Sequence, residues 1–255
     1  MLGEILKIKI FDLDGNSLGE TELDTKENVV REDLILRAFL SEQSKTFQPK
    51  GNFIWAGLLT TARYVGRKEA YHTLKNRGIS RLPRQMFPKG RIGNVRIVPH
   101  AVKGRRAHPP KVEKKIIEKI NKKEWKKALR CAILATTTEY AKRRNIVEYS
   151  PILIKGIENI KKLKDLARVL NKFFEKDFER AKKRKRRLKR KKGKKYPKSI
   201  LIICGENEGI KCNLPGVDVV EAKKIKVMDL APGGVAGRAC VFTEKGLEEI
   251  KEVIE

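Results

Sequence analysis

The side chains best equipped for chemistry in this sequence are cationic, and they are clustered. Sixteen lysines and arginines fall between residues 43 and 112 beside a single acid, Glu69, and all three histidines (His72, His100, His108) lie there as well. A second run, residues 180–198, holds fourteen lysines and arginines and no acid. Proton transfer is not what these groups are arranged for. A general base needs a partner that positions it, and no histidine has a neighbouring cysteine or an H-E-x-x-H spacing. At this density guanidinium and ammonium groups suit phosphate, which arginine grips bidentately and whose neutralisation releases counterions. The candidate contacts in the first segment are Arg63, Arg67, Lys68, Lys75, Arg77, Arg81, Arg84, Arg91, Arg96, Lys103, Arg105, Arg106 and His108. In the second they are Lys182, Lys183, Arg184, Lys185, Arg186, Arg187, Lys189, Arg190, Lys191, Lys192, Lys194 and Lys195.

Charge placement sharpens this. The formal net charge is +29, and the two segments carry +15 and +14, the whole of the excess. A neutral body with two cationic appendages is the footprint of nucleic-acid binding. Binding at a membrane surface would call for an amphipathic basic helix, and neither run alternates that way. No apolar run approaches the length of a membrane span. The opening MLGEILKIKIFDLDG has early acids and no apolar core of signal-peptide length, so a cytoplasmic protein is expected.

Other chemistries find little support. An α/β chain invites a nucleotide, but neither G-x-G-x-x-G after a strand nor G-x-x-x-x-G-K-[ST] occurs. The glycine cluster Ala231-Pro-Gly-Gly-Val-Ala-Gly237 leads toward a strand instead of opening a helix, and reads as a structural turn. The four cysteines (Cys131, Cys204, Cys212, Cys240) form no C-x-x-C pair, and Cys204 and Cys240 sit in apolar runs as small hydrophobes. Asp12 and Asp14 flank a turn and read as surface residues. The expectation is therefore no catalytic constellation, no cofactor, no metal and no small-molecule substrate.

The elements that must carry the cations follow from periodicity. Glu4 to Leu13 and Leu18 to Leu23 read as a hairpin over Asp14-Gly15-Asn16. Val30, Leu34, Ile35, Ala38 and Phe39 predict a helix from near Asn28 to near Ser41. Ile116, Ile117 and Ile120 predict a short helix after Glu113. Asn121 with Glu124 then starts a longer one with Trp125, Leu129, Ala132, Ile133, Thr136 and Tyr140 on one face, running to Asn145. Pro151 to Ile154 is a short buried strand, and Ile157 to Leu170 is an amphipathic helix. Ser199 to Cys204 is apolar on both faces, as a parallel sheet requires. Val217 to Val220 and Ala239 to Phe242 are further strands, and Glu244 to Ile254 closes as a helix. Alternating strands and helices predict a parallel or mixed sheet with helices on both sides.

Residues 43–112 fit none of this. Prolines and glycines break them up, apart from a short helix at Ala56 to Ala62 and a strand at Asn94 to Pro99. A compact domain rarely tolerates so long an irregular stretch without a function for it. The interspersed aromatics (Phe47, Phe53, Trp55, Tyr64, Tyr71, Phe87) argue against a permanently solvated linker. A basic arm that becomes ordered inside a polyanion satisfies both constraints. Its rivals are an RNA-modifying enzyme of the doubly wound class with basic appendages, and a DNA-compaction protein.

Several spaced motifs carry a resemblance. Lys103-Gly-Arg-Arg-Ala-His-Pro-Pro110, Ile120-Asn-Lys-Lys-Glu124, Ala128-Leu-Arg-Cys-Ala-Ile-Leu-Ala-Thr136, Asn213-Leu-Pro-Gly-Val-Asp-Val-Val220, Asp229-Leu-Ala-Pro-Gly-Gly234 and Gly237-Arg238 together resemble the universal large-subunit ribosomal protein number four family, in its archaeal and eukaryotic form. The resemblance spans nearly the whole chain. It implies a three-layer α/β/α domain with a mostly parallel sheet (residues 1–42 and 113–255) on the outside of the large subunit. It also implies a long basic internal loop, residues 43–112, that penetrates large-subunit rRNA and helps line the peptide exit tunnel. The tip of that loop falls on Arg77, Gly78, Ile79, Ser80 and Arg81. Implied partners are large-subunit rRNA and neighbouring ribosomal proteins. The sequence departs from the family pattern at the tip, which is poorer in glycine, and at Lys103-Gly104, where the family carries a glycine pair.

Overall fold

The computed structural model describes residues 5–254 apart from 56, 145–146, 161, 184–185, 188–193 and 211. The chain divides into two units, Met1–Thr46 with Ile117–Glu255 (the body) and Phe47–Ile116 (the loop). In chain order the elements are β1 (Ile5–Phe11), β2 (Ser17–Asp24), α1 (Glu32–Lys45), β3 (Arg84–Met86), β4 (Ile92–Val95), α2 (Lys122–Leu134), α3 (Thr138–Arg144), β5 (Ile152–Ile154) and α4 (Leu163–Lys183). They continue as β6 (Arg186–Arg187), β7 (Lys194–Lys195), β8 (Ile200–Cys204), β9 (Val217–Glu221), α5 (Val227–Leu230), β10 (Ala239–Phe242) and α6 (Glu244–Ile254).

Strands with apolar side chains on both faces can be satisfied only between two layers, and the body supplies both. Its six-stranded sheet has the order β2-β1-β5-β10-β8-β9, parallel throughout except for the β1–β2 hairpin. All five residues of β8 are buried. Leu201 and Ile203 join Cys240, Phe242 and Leu153 in one core, closed by Leu34, Ile35 and Ala38 of α1, Leu129 and Ile133 of α2, and Leu247 and Ile250 of α6. Ile200 and Ile202 point the other way with Val241, Ile152 and Ile154, covered by Leu166, Leu170, Phe174 and Phe178 of α4. Each such side chain contributes roughly 1.5–3 kcal/mol when removed from water. The body is thus an α/β fold with helices on both faces of a mostly parallel sheet.

Two buried polar hubs tie these layers together. Glu42, on α1, accepts hydrogen bonds from Trp125 Nε1 on α2 (2.5 Å) and from the backbone N–H groups of Val227 (3.2 Å) and Met228 (2.7 Å) at the start of α5. Arg238, fully buried before β10, donates to Asp218 Oδ2 on β9 (2.6 Å), to the Asp229 carbonyl (2.8 Å) and to the Ile200 carbonyl on β8 (2.8 Å). Burial works to raise the Asp218 carboxyl, but the Arg238 guanidinium and the Lys198 ammonium at 3.2 Å outweigh it and hold it below its ordinary value. At the neighbouring Gly237 the backbone φ is +95°, and a Cβ there would strike the Tyr140 carbonyl oxygen. The glycine cluster is therefore a turn built for close packing.

Four predicted elements of the body differ. The helix expected over Ile157 to Leu170 is instead a separate 3-10 turn at Ile157–Asn159 followed by α4, which starts at Leu163 and runs on to Lys183. Helix α1 starts at Glu32 and ends at Lys45, some four residues later than the apolar spacing suggested. No helix forms over residues 113–120. There the Glu118 N–H donates to Ser44 Oγ (2.9 Å) and its carbonyl accepts from Ser41 Oγ (2.8 Å), so hydroxyls of α1 take the groups a helix would need. The long helix expected from Lys122 to Asn145 is broken between α2 and α3. Thr136 Oγ1 turns back onto the Ile133 carbonyl (2.7 Å), and Ser150 Oγ takes the Thr136 carbonyl (2.7 Å). Asn121 does occupy the N-cap position of α2, but its side chain makes no capping bond.

Candidate nucleic-acid interface

The loop is held by backbone turns and not by a core. Among its described residues Leu74 is the one buried apolar side chain, its N–H donating to the Val65 carbonyl (3.0 Å). Strands β3 and β4 pair antiparallel across the Pro88–Gly90 turn, and Arg63 bridges to Arg84 through reciprocal backbone bonds of 3.0 and 3.1 Å. The strand expected over Asn94 to Pro99 stops at Val95 because Ile97 takes a left-handed φ of 68°. Such a φ is a genuine outlier for a β-branched residue. The helix expected over Ala56 to Ala62 is absent across 57–62, where the backbone is turn and irregular.

Left-handed backbone at residues other than glycine is concentrated here. His72, Asn76, Lys89, Ile97 and Lys103 all have positive φ, against Lys26 and Asn207 elsewhere among the described residues. Backbone in such regions persists where surroundings over-determine it, and it clusters at functional segments.

The cations of the loop have few internal partners. Arg84 is one exception, its Nη2 donating to Ser80 Oγ (2.6 Å) and its Nη1 to the Gly93 carbonyl (3.4 Å). Arg96 Nη1 donates to the Lys103 carbonyl (2.9 Å). These two brace the loop from inside. Arg67, Lys68, Arg77, Arg81, Arg91, Lys103, Arg105, Arg106 and His108 meet no acid, and no ion pair forms anywhere in the loop among the described residues. Arg77 to Arg81, the expected tip, is exposed at every position. Large apolar and aromatic side chains elsewhere in the loop also stand open, with Trp55 60% and Tyr71 81% exposed.

The second basic run is only partly described. Lys182 and Lys183 end α4 and are exposed, Lys183 lying 3.5 Å from Glu179. Arg186–Arg187 and Lys194–Lys195 pair as the short antiparallel strands β6 and β7, so the run doubles back instead of continuing α4. Arg184, Lys185, Lys189, Arg190, Lys191 and Lys192 lie outside the described residues. The ends of the run belong to the body: Arg180 pairs with the fully buried Asp177 (2.9 Å) and Lys198 with Asp218.

Against this background the comparisons with known proteins are decisive. Residues 22–253 match the model of the ribosomal protein L4/L1 family. The chain belongs to that family. A large ribosomal subunit protein uL4 from Methanocaldococcus jannaschii is 41% identical over 98% of this chain and 100% of its own length. Proteins of the same name from Sulfurisphaera tokodaii and Pyrobaculum aerophilum are 37% and 35% identical, covering 99% and 96% of this chain and 96% and 89% of their own.

A ribosomal protein of this family is a structural constituent and not an enzyme, which disposes of the doubly wound modifying enzyme. Among the described residues no group of His, Cys, Asp or Glu is placed to hold a metal, and no helix is long and apolar enough to cross a membrane. The family motifs divide by role. Those of the C-terminal half place Asp218, Asp229 and Arg238 in the buried hub of the body, a role that sequence reasoning missed. A lone arginine just before a fully apolar strand was the available signal. The Lys103 to Pro110 motif, by contrast, lies in the loop, with no described residue of it in a core.

Proposed function

We propose that this protein is a structural constituent of the large ribosomal subunit, in the cytoplasm, where it binds large-subunit rRNA through two basic segments. Residues 1–42 and 113–255 anchor it, and residues 43–112 penetrate the rRNA, with Arg77 to Arg81 forming part of the wall of the peptide exit tunnel. The observation that carries this reading is the contrast in pairing. Among its described residues the loop concentrates cations that meet no acid, around a backbone with one buried apolar residue. Such a segment gains order only where counter-charge arrives, and phosphate supplies it. Contacts of this type position a protein on RNA more than they read sequence. Neighbouring ribosomal proteins would cover apolar side chains that the body leaves exposed, such as Leu36 and Leu40 of α1.

Two measurements test the reading. Tagged full-length protein expressed in its host should co-sediment with large subunits through a high-salt gradient; release into the free fractions would overturn the rRNA assignment. A photo-crosslinking residue at Ile79 should label nascent chains on translating ribosomes. Labelling of rRNA alone would remove the tunnel from the proposal and leave the binding.

A further inference from the structure

One cleft in the loop sets an exposed tryptophan beside two arginines. The turn around Trp55, closed by the Leu58 N–H on the Trp55 carbonyl (2.9 Å), lies against the returning limb at Arg105 to Glu113. The two limbs are clasped there: Asn52 Nδ2 donates to the Pro110 carbonyl (2.8 Å) and to the Phe53 carbonyl (3.2 Å). The approach is close. A Cβ on Gly57, whose φ is +85°, would come within 2.7 Å of Pro109 Cβ, so only glycine seats the turn this tightly. Between the limbs lies a cleft of about 430 Å³, with Trp55, Leu58, Pro109 and Val112 supplying apolar wall and Arg105 and Arg106 standing at it.

Resting on the rRNA-binding reading, we infer that this cleft receives one unpaired nucleobase of the rRNA, stacked on the Trp55 indole, with Arg105 and Arg106 on the flanking phosphates. Size and chemistry agree. The volume is within the range of small-ligand sites, apolar side chains line it beside the cations Arg105, Arg106 and Lys111, and the acid that lines it, Glu113, forms no ion pair with either arginine. A duplex cannot present a base face in this way, whereas loops, bulges and single strands can. An exposed tryptophan flanked by unpaired arginines fits a base and its phosphates better than it fits an apolar protein segment, which would leave both guanidinium groups without counter-charge.

The test uses the full chain with three probes: a single-stranded oligoribonucleotide, an abasic oligomer of the same length, and a duplex of the same sequence. Trp55→Ala should weaken the single strand by about five- to 150-fold, the range for loss of one stacked base. It should leave the abasic oligomer and the slope of affinity against salt unchanged, and Trp55→Phe should restore most of the loss. Emission quenched by the single strand should disappear in Trp55→Phe, since the other tryptophan, Trp125, is tied to Glu42 in the body. Equal losses on single-stranded and abasic probes, or no loss on either, would overturn the base-stacking cleft. Those outcomes leave the rRNA assignment standing as long as wild-type protein is retained on large subunits; failure of that retention is what sinks the broader reading.

Discussion

Arg143 and Arg77 are the same side chain in two situations. Arg143 leaves α3 to meet Glu32 on α1 at 3.0 Å, one of many body cations that find an acid. Arg77 is exposed, in a stretch of sequence with Arg67, Lys68, Lys75 and Arg81 where the nearest acid is Glu69. The same division holds for apolar groups. In the body, large side chains such as Ile133 and Ile202 are fully buried, whereas Trp55, Leu59 and Tyr71 of the loop lie open. The charges and apolar groups of the body are met within its own sequence far more fully than those of the loop. On the proposed reading rRNA completes the loop, so the unit with the larger core is not the one that reaches farthest into the RNA.

The widest separation between the regions should be in opening. In the free protein, amide exchange and limited proteolysis should find the loop unprotected on the scale of seconds to minutes, while β8 and β10 exchange only through global unfolding. Bound rRNA should protect the loop; equal cleavage with and without it would erase the contrast. Packing comes next. Ile133→Ala should cost about 3 kcal/mol in urea unfolding, whereas Leu74→Ala, just as buried locally, should shift the global midpoint by less than about 0.5 kcal/mol. A comparable loss from both would mean that the loop belongs to the cooperative core.

The Arg238–Asp218 hub adds a pH-dependent arm. Asp218→Asn should cost about 2–3 kcal/mol at neutral pH, because it leaves a buried guanidinium facing a weaker acceptor. Since the folded carboxyl lies below its ordinary value of 3.8, its contribution is present above that pH and lost as pH falls through the folded value. The gap between variant and wild type should therefore close below about pH 4; a constant gap would assign the loss to packing. The smallest effect concerns charge alone. Arg77→Gln should lower the slope of log affinity for rRNA against log salt by about one unit, and Arg143→Gln should leave it unchanged.

Much of the body was legible in the sequence, for a physical reason. The runs Ile200 to Cys204 and Ala239 to Phe242 are apolar on both faces, and only a two-sided burial satisfies them. What was not legible depends on partners far away in the chain. Ile116, Ile117 and Ile120 have helical spacing, yet Ser41 and Ser44 capture the Glu118 backbone and Ile117 stays exposed. Glu42 reads as one more surface acid until α5, some 185 residues later, brings it two backbone N–H groups. In the loop, composition gave away the cations, but it could not separate Arg84 and Arg96, turned inward as braces, from Arg77 and Arg81. Nor did spacing mark Arg180 and Lys198 as belonging to the body.

The pair of hydroxyl contacts from Ser41 and Ser44 to Glu118 has a consequence for how this fold can vary. They fasten the departing and the returning strands of polypeptide at one spot on the body, so everything between them is an excursion from a closed ring. The entropy of closing a flexible excursion grows only with the logarithm of its length, about 0.6 kcal/mol for each doubling. The body should accordingly tolerate insertions and deletions between those serines and Glu118 that it would never accept within β8, so the length of the excursion is set by whatever the loop contacts and not by the stability of the body.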